Sequence, residues 1–261
     1  MGILRDRRHE GWVLAAYPDP RTGQPLIGAG FSLDLPERLH LQRDPLNPHP
    51  FLEPSSAELW HAAGLDPAKL NDILDRFYAR QAEWSKRTFR RHIFTLDPQI
   101  TEEDADALLR IGIVQAIDNA KAYCRDFDRL TASQQMAMTQ LVYQMGMNLE
   151  EFSTFLTLIN RDAAIPQETD GVTQDDASYW RNVQLSLVQS QWARLYRERA
   201  TNVIAMLNPK YTDDPAGAEH SIAHILHPLR HRRGRASLRA ASYARRRTSA
   251  ARKRARRMRK D

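Results

Sequence analysis

Cysteine is nearly absent. The single Cys124 in 261 residues excludes a disulfide framework and any multi-cysteine metal cluster. A chain of this length buries roughly 70–75% of its unfolded surface on folding, so no staple is required. It also lacks any run of 18 apolar residues, which excludes a membrane-spanning helix, and it begins without an apolar stretch that would read as a signal peptide. Asp6 stands where N-myristoylation needs Ser or Thr. There is neither a GxGxxG nor a GxxxxGK[ST] loop, so Gly28 and Gly30 do not belong to a nucleotide-binding fingerprint, and no Ser/His/Asp hydrolase signature is present.

What is present is uneven. Residues 229–261 carry 15 of the 38 basic residues and one of the 32 acidic ones, a charge of +14. The preceding 228 residues hold 23 bases against 31 acids, a charge of −8, so the net +6 belongs to no part of the molecule. The 229–261 segment is mostly Arg, Ala and Ser. Its few apolar residues do not offset the entropy of ordering, and it is expected to be disordered alone. Clustered Arg attracts polyanions through charge and counterion release, so its expected partners are anionic envelope polymers or nucleic acid.

Along the acidic part, residues 3–12 read as a short helix and Ala15–Pro25 as a turn-rich stretch. Leu26–Leu35 reads as a strand-like run completing a β-hairpin, with little strand elsewhere. Residues 36–54, rich in Pro and His, read as a surface loop. Helices follow. Ser55-Ser-Ala-Glu58 is a capping box, and Asp66-Pro67 supplies an N-cap with proline at the first helical position. Thr101–Asp104 opens a further helix, and Thr131–Gln134 opens one that Gly146 ends. A short helix over 151–160, a loop over 161–176 and one or two helices over 177–207 complete the reading. The fold class is α+β and mostly α-helical, in two parts: a body of residues 1–228 and the basic segment 229–261.

Two carboxylates define the candidate chemistry. Glu10 closes the first helix and Asp19 lies in the turn-rich stretch. A pair of acids across a cleft cleaves a glycosidic bond when one protonates the leaving oxygen and the other serves the opposite face of the sugar. Glu10-Gly11, Tyr17, Asp19 and Ile27-Gly28-Ala29-Gly30 resemble the opening motif of the phage-type lysozymes, glycoside hydrolase family 24. Ile100–Ala105, Leu141–Gly146, Ser190-Gln191-Trp192 and Arg199-Ala200 followed by Val203-Ile204 resemble that family's later helices, in the same order.

The resemblance implies a lysozyme-like fold, a small N-terminal lobe with a β-hairpin and a larger helical lobe with a cleft between them. It implies an endolysin-type muramidase acting on peptidoglycan glycan strands, without cofactor or metal, as a monomer. Such an enzyme stays in the cytoplasm until released or exported to the wall. Glu10 would be the general acid, and Asp19 would act with the attacking water as base or electrostatic stabiliser. Arg199 would pair with the glutamate, and Gln144 would line the cleft.

Two positions depart from the family. Leu26 stands where it has a water-holding threonine, and Phe31 where it has a histidine. Thr22, Gln24 and Ser32 are the polar candidates to replace the missing hydroxyl. Two outcomes are therefore open: hydrolysis, or wall binding on a lysozyme scaffold without cleavage. Residues 36–98 form an insertion relative to compact members, expected to hold two helices. Its Trp60, Tyr78 and Trp84 either stack on sugar or pack the insertion onto the body. His220, His224 and His227 recur at helical spacing and read as a solvated face rather than a zinc site.

Overall fold

The computed structural model describes residues 12–19, 22–40, 46–84, 96–160 and 176–226. Glu10, residues 3–11 of the expected 3–12 helix, residues 161–175 of the expected 161–176 loop, His227 and the basic segment lie outside these residues, while Trp12 is not helical and Asp176 begins a helix.

The described residues open on a three-stranded antiparallel sheet of β1 (Val13–Pro18), β2 (Pro25–Gly28) and β3 (Phe31–Ser32), in the order β1-β2-β3. The strand-like run at 26–35 is thus two strands, folded at Gly28-Ala29-Gly30 with both glycines at positive φ. Part of the stretch read as turn is strand: β1 reaches back to Val13 and pairs Tyr17 with Leu26. Its outer edge is tied to the segment ahead of the long helix, where Gln99 N and Ile100 N donate to Leu14 O.

The larger correction concerns 36–54. Rather than a loop, it contains a second antiparallel hairpin, β4 (Arg38–His40) with β5 (Phe51–Glu53). Alternation places Arg38, His40, Phe51 and Glu53 on one face and Leu39 and Leu52 on the other, where both leucines are exposed. Strands of three residues do not persist by propensity alone. This pair is held from outside: the helix residues Asn119 and Gln115 clamp both backbone groups of Leu52, N–H to Oδ1 and C=O from Nε2. Asn47, buried, donates to the carbonyls of Lys121 and Ala122, which satisfies the end of that same helix.

The helices begin where their caps dictate. Ser55 and Glu58 close a capping box on α1 (Ser56–Ala62), and Asp66 caps α2 (Pro67–Ala79) with Pro67 in its first turn. A short α3 (Gln81–Trp84) follows. Thr101 and Asp104 box the start of α4 (Glu102–Tyr123), and Thr131 and Gln134 that of α5 (Ala132–Met145). A 3-10 segment, Gly146–Glu151, leads to α6 (Ser153–Ile159). The 177–207 stretch forms three helices rather than one or two: α7 (Asp176–Val188), α8 (Gln191–Leu195) and α9 (Arg197–Met206). The break is the cap at Ser190, whose Oγ accepts from Ala193 N. The described chain closes with α10 (Pro215–Leu226), which carries His220 and His224.

Two large hydrophobic cores form among the described residues, beside a small cluster of Ala29 and Leu109. One gathers Ile27, Phe31 and Leu33 of the sheet region with Trp60, Leu70, Ile73 and Phe77 of α1 and α2. The other gathers α5, α6, α7, α9 and α10 around Met138, Leu141, Leu187 and Ile204, with Cys124 fully buried in it. Helix α4 belongs to both. Ala105 and Leu108 in its first half enter the first core, and Ala116, Ala120 and Tyr123 in its second half enter the other.

Two positions give direct tests. Gly146 caps α5 at φ +49°, ψ −128°, with its N–H on Val142 O. An added Cβ would meet nothing closer than Glu53 Oε1 at 3.9 Å, so the obstacle to a side chain is conformational. Gly146→Ala is expected to lower stability by about 1–3 kcal/mol, read from the urea midpoint.

The second is the Lys69–Asp104 ion pair at 2.6 Å, which joins α2 to the start of α4. Burial pulls the Asp104 carboxyl upward. The hydrogen bonds from Lys69 and Thr101 N, with the lysine charge, outweigh it and hold the group below its ordinary value of 3.8. The pair therefore stabilises fully above that value and fades as pH falls through the depressed folded one. Lys69→Met should lower the melting temperature at pH 7, and the gap to the parent chain should narrow as pH falls below the ordinary carboxylate range.

Candidate functional site

The sheet, the β4–β5 hairpin and the helix ends border a groove of two adjoining chambers that share lining residues. The first, about 360 Å³, lies between Phe31 and Ser32 of β3, Arg38 and Glu53 of the hairpin, and α4 and α5. The second, about 650 Å³, lies between the 3-10 segment and helices α8 and α9, with Trp192, Tyr196 and Arg199 on its wall. Gln144, Met145 and Asn148 line both, so the chambers meet at the last turn of α5.

Local chemistry sets these walls. Tyr143 donates to Ala29 O at 3.1 Å, which holds α5 against the β2–β3 turn. At the chamber's edge, Leu35 N donates to Ser56 Oγ and Ser56 N to Leu35 O, so the segment after β3 and the start of α1 are joined twice. Gly146 then turns the chain under the hairpin.

Three of the residues singled out from the sequence lie along this groove. Phe31 lines the first chamber, Arg199 the second, and Gln144 both. The guanidinium of Arg199 sits 5.4 Å above the Tyr196 ring, a cation–π distance. The Gln144 amide is the most unusual group in the groove: its oxygen and nitrogen are both buried, and neither has a hydrogen-bond partner. Buried amides are ordinarily satisfied, so this one is an exception at the junction of the two chambers.

Three others do not line either chamber. Tyr17 is buried in the sheet, and Leu26 is half-buried opposite it. Asp19 sits at the β1–β2 turn, its Oδ1 accepting from Thr22 N at 2.7 Å and Thr22 Oγ1 at 3.1 Å. Its own N–H donates to Gln24 O. Of the polar residues named as replacements for the family threonine, Thr22 therefore brings its hydroxyl to Asp19. Gln24 serves the turn through its backbone. Ser32, the cross-strand partner of Leu26, places a buried Oγ without a partner in the first chamber.

Of the aromatics singled out in 36–98, Trp60 and Tyr78 have structural partners. Trp60 is fully buried and donates to Asp66 O. Tyr78 donates to Asp34, and that carboxylate pushes its phenol up to about 12. The side chain of Trp84 lies outside the described residues. Among the described residues no group of three or more His, Cys, Asp or Glu gathers in a way that would hold a metal ion.

Sequence reasoning missed Arg38, Glu53, Gln115, Asn119 and Asn148. No local signal marks them; their relation to the groove exists only once the hairpin is docked on α4. No family model, curated protein or solved structure matches the chain.

Proposed function

We propose that this chain is a peptidoglycan hydrolase, a lysozyme cleaving the β-1,4 bond between N-acetylmuramic acid and N-acetylglucosamine. The observation that carries this reading is the groove itself. Phe31, Gln144 and Arg199 are widely separated in sequence, were assigned to one site by resemblance alone, and line two adjoining chambers that share Gln144. An elongated groove between a sheet-bearing part and a helical part suits a polymer strand, and an unsatisfied amide suits the acetamido groups it carries.

In this reading Glu10 protonates the leaving oxygen and Asp19 serves the attacking water. Thr22 takes over the hydroxyl that Leu26 lacks, fixing the orientation of the Asp19 carboxylate through two hydrogen bonds. Arg199 pairs with Glu10 and tunes it. The 15 basic residues of 229–261 add attraction to anionic wall polymers or to nucleic acid, independent of the groove. No described helix is long and apolar enough to cross a membrane, and the site of action is the bacterial wall, reached after release or export.

Purified peptidoglycan tests the reading. Incubation with the chain is expected to release reducing ends and clear a wall suspension. Sedimentation of the chain with the walls, without new reducing ends, would overturn hydrolysis in favour of wall binding alone.

A further inference from the structure

Arg38 and Glu53 face each other across the β4–β5 ladder. Opposite charges at facing positions of a hairpin ordinarily close as a cross-strand pair. These two do not: among the described residues the Glu53 side chain has no hydrogen-bond or ion-pair partner, and the Arg38 guanidinium touches only the Met147 sulfur, at 4.0 Å. Both line the first chamber instead, on the hairpin face turned away from the exposed leucines. The Ser32 hydroxyl and the Gln144 amide add two further unsatisfied groups to the same space.

The hairpin carrying the pair is fixed in place. Gln115 and Asn119 hold the backbone of Leu52, beside Glu53, and Asn47 anchors the approach to β5 on the end of α4. Polar groups held on a braced element and left open are preorganised for a ligand. A carboxylate, a guanidinium, a hydroxyl and an amide, over an apolar floor of Phe31, Leu35 and Leu59, suit a neutral polyhydroxylated ring: acceptors and donors for its hydroxyls, apolar surface for its C–H face. The carboxylate disfavours phosphates and other anions.

We propose that the β4–β5 hairpin builds an additional saccharide subsite, in which Glu53 accepts from sugar hydroxyls and Arg38 donates to sugar oxygens. The inference rests on the glycan-groove reading above and extends it to residues that the resemblance does not reach. A strand lying in the Arg199 chamber continues past Gln144 into this one, so the hairpin sets how many sugars the groove grips.

The test is calorimetric binding of the N-acetylglucosamine hexamer to the full chain and to three variants. Glu53→Gln and Arg38→Gln are each expected to weaken binding about tenfold, the loss that goes with one charge-assisted hydrogen bond. Leu39→Gln, on the outer face of the same hairpin, is expected to bind as the parent does, which separates the subsite from general damage to the hairpin. Unchanged affinity in both charge variants would overturn the proposal, as would absence of hexamer binding by the parent chain. Reducing-end release from peptidoglycan, run alongside, separates the two readings. Cleavage with unchanged affinities removes the subsite and leaves the hydrolase. Hairpin-dependent binding without cleavage removes the hydrolase and leaves the subsite.

Discussion

Glu10→Gln is expected to lower reducing-end release from purified peptidoglycan by about 10²–10⁴-fold, the usual contribution of a positioned general acid. The substitution keeps the size and hydrogen-bonding outline of the side chain and removes only the transferable proton. Wall binding should therefore persist, because the groove residues Gln144 and Arg199 and the basic segment are untouched. A variant that sediments with walls yet releases few reducing ends would separate chemistry from affinity. A variant as active as its parent would remove Glu10 from the mechanism and send the search to another carboxylate of the groove, beginning with Glu53 and Glu151.

Trp60→Ala should produce the largest loss of stability. The indole is fully buried in the core beneath the sheet, and its Nε1 donates to Asp66 O, which joins α1 to the cap of α2. Removing a buried large side chain costs about 3–5 kcal/mol, the upper part of that range applying where the surrounding helices cannot collapse into the space. For a chain of this size the melting temperature should fall by roughly 6–20 °C. Trp60→Phe retains most of the volume and should lose much less, so the difference between the two variants isolates the filling of the core from the hydrogen bond. A loss under about 1 kcal/mol in the alanine variant would mean that α1 and α2 contribute little to the folded body.

The contrast between what the sequence disclosed and what it concealed follows the range of the interactions involved. Ser55, Asp66, Thr101 and Thr131 each satisfy backbone N–H groups two or three residues away, and all four mark the helix starts expected of them. Ser190 obeys the same rule, but its cap divides a stretch whose apolar spacing continues on both sides, and the break passed unread. The β4–β5 hairpin was illegible for a different reason. Its strands are three residues long, sit among prolines and histidines, and depend on Gln115 and Asn119, more than 60 residues away.

The candidate site divides the same way. Phe31, Gln144 and Arg199 were found through motifs that resemble a family, and they share the groove. Asp19 was legible as an acid in a turn, yet its engagement by Thr22 was only one of three alternatives. Arg38 and Glu53 carry no motif. Their interest lies in a pairing that fails to form, which no one-dimensional pattern records.

The 22 residues of α4 span about 33 Å, and neither core is complete without its half of that helix. The two cores are therefore not independent folding units. If the half of α4 beneath the sheet melts, a continuous hydrogen-bonded rod frays toward the other core, and Asn47 loses the helix end it caps. Unfolding of the described body should be a single cooperative event, with the central amides of α4 among the last to exchange with solvent.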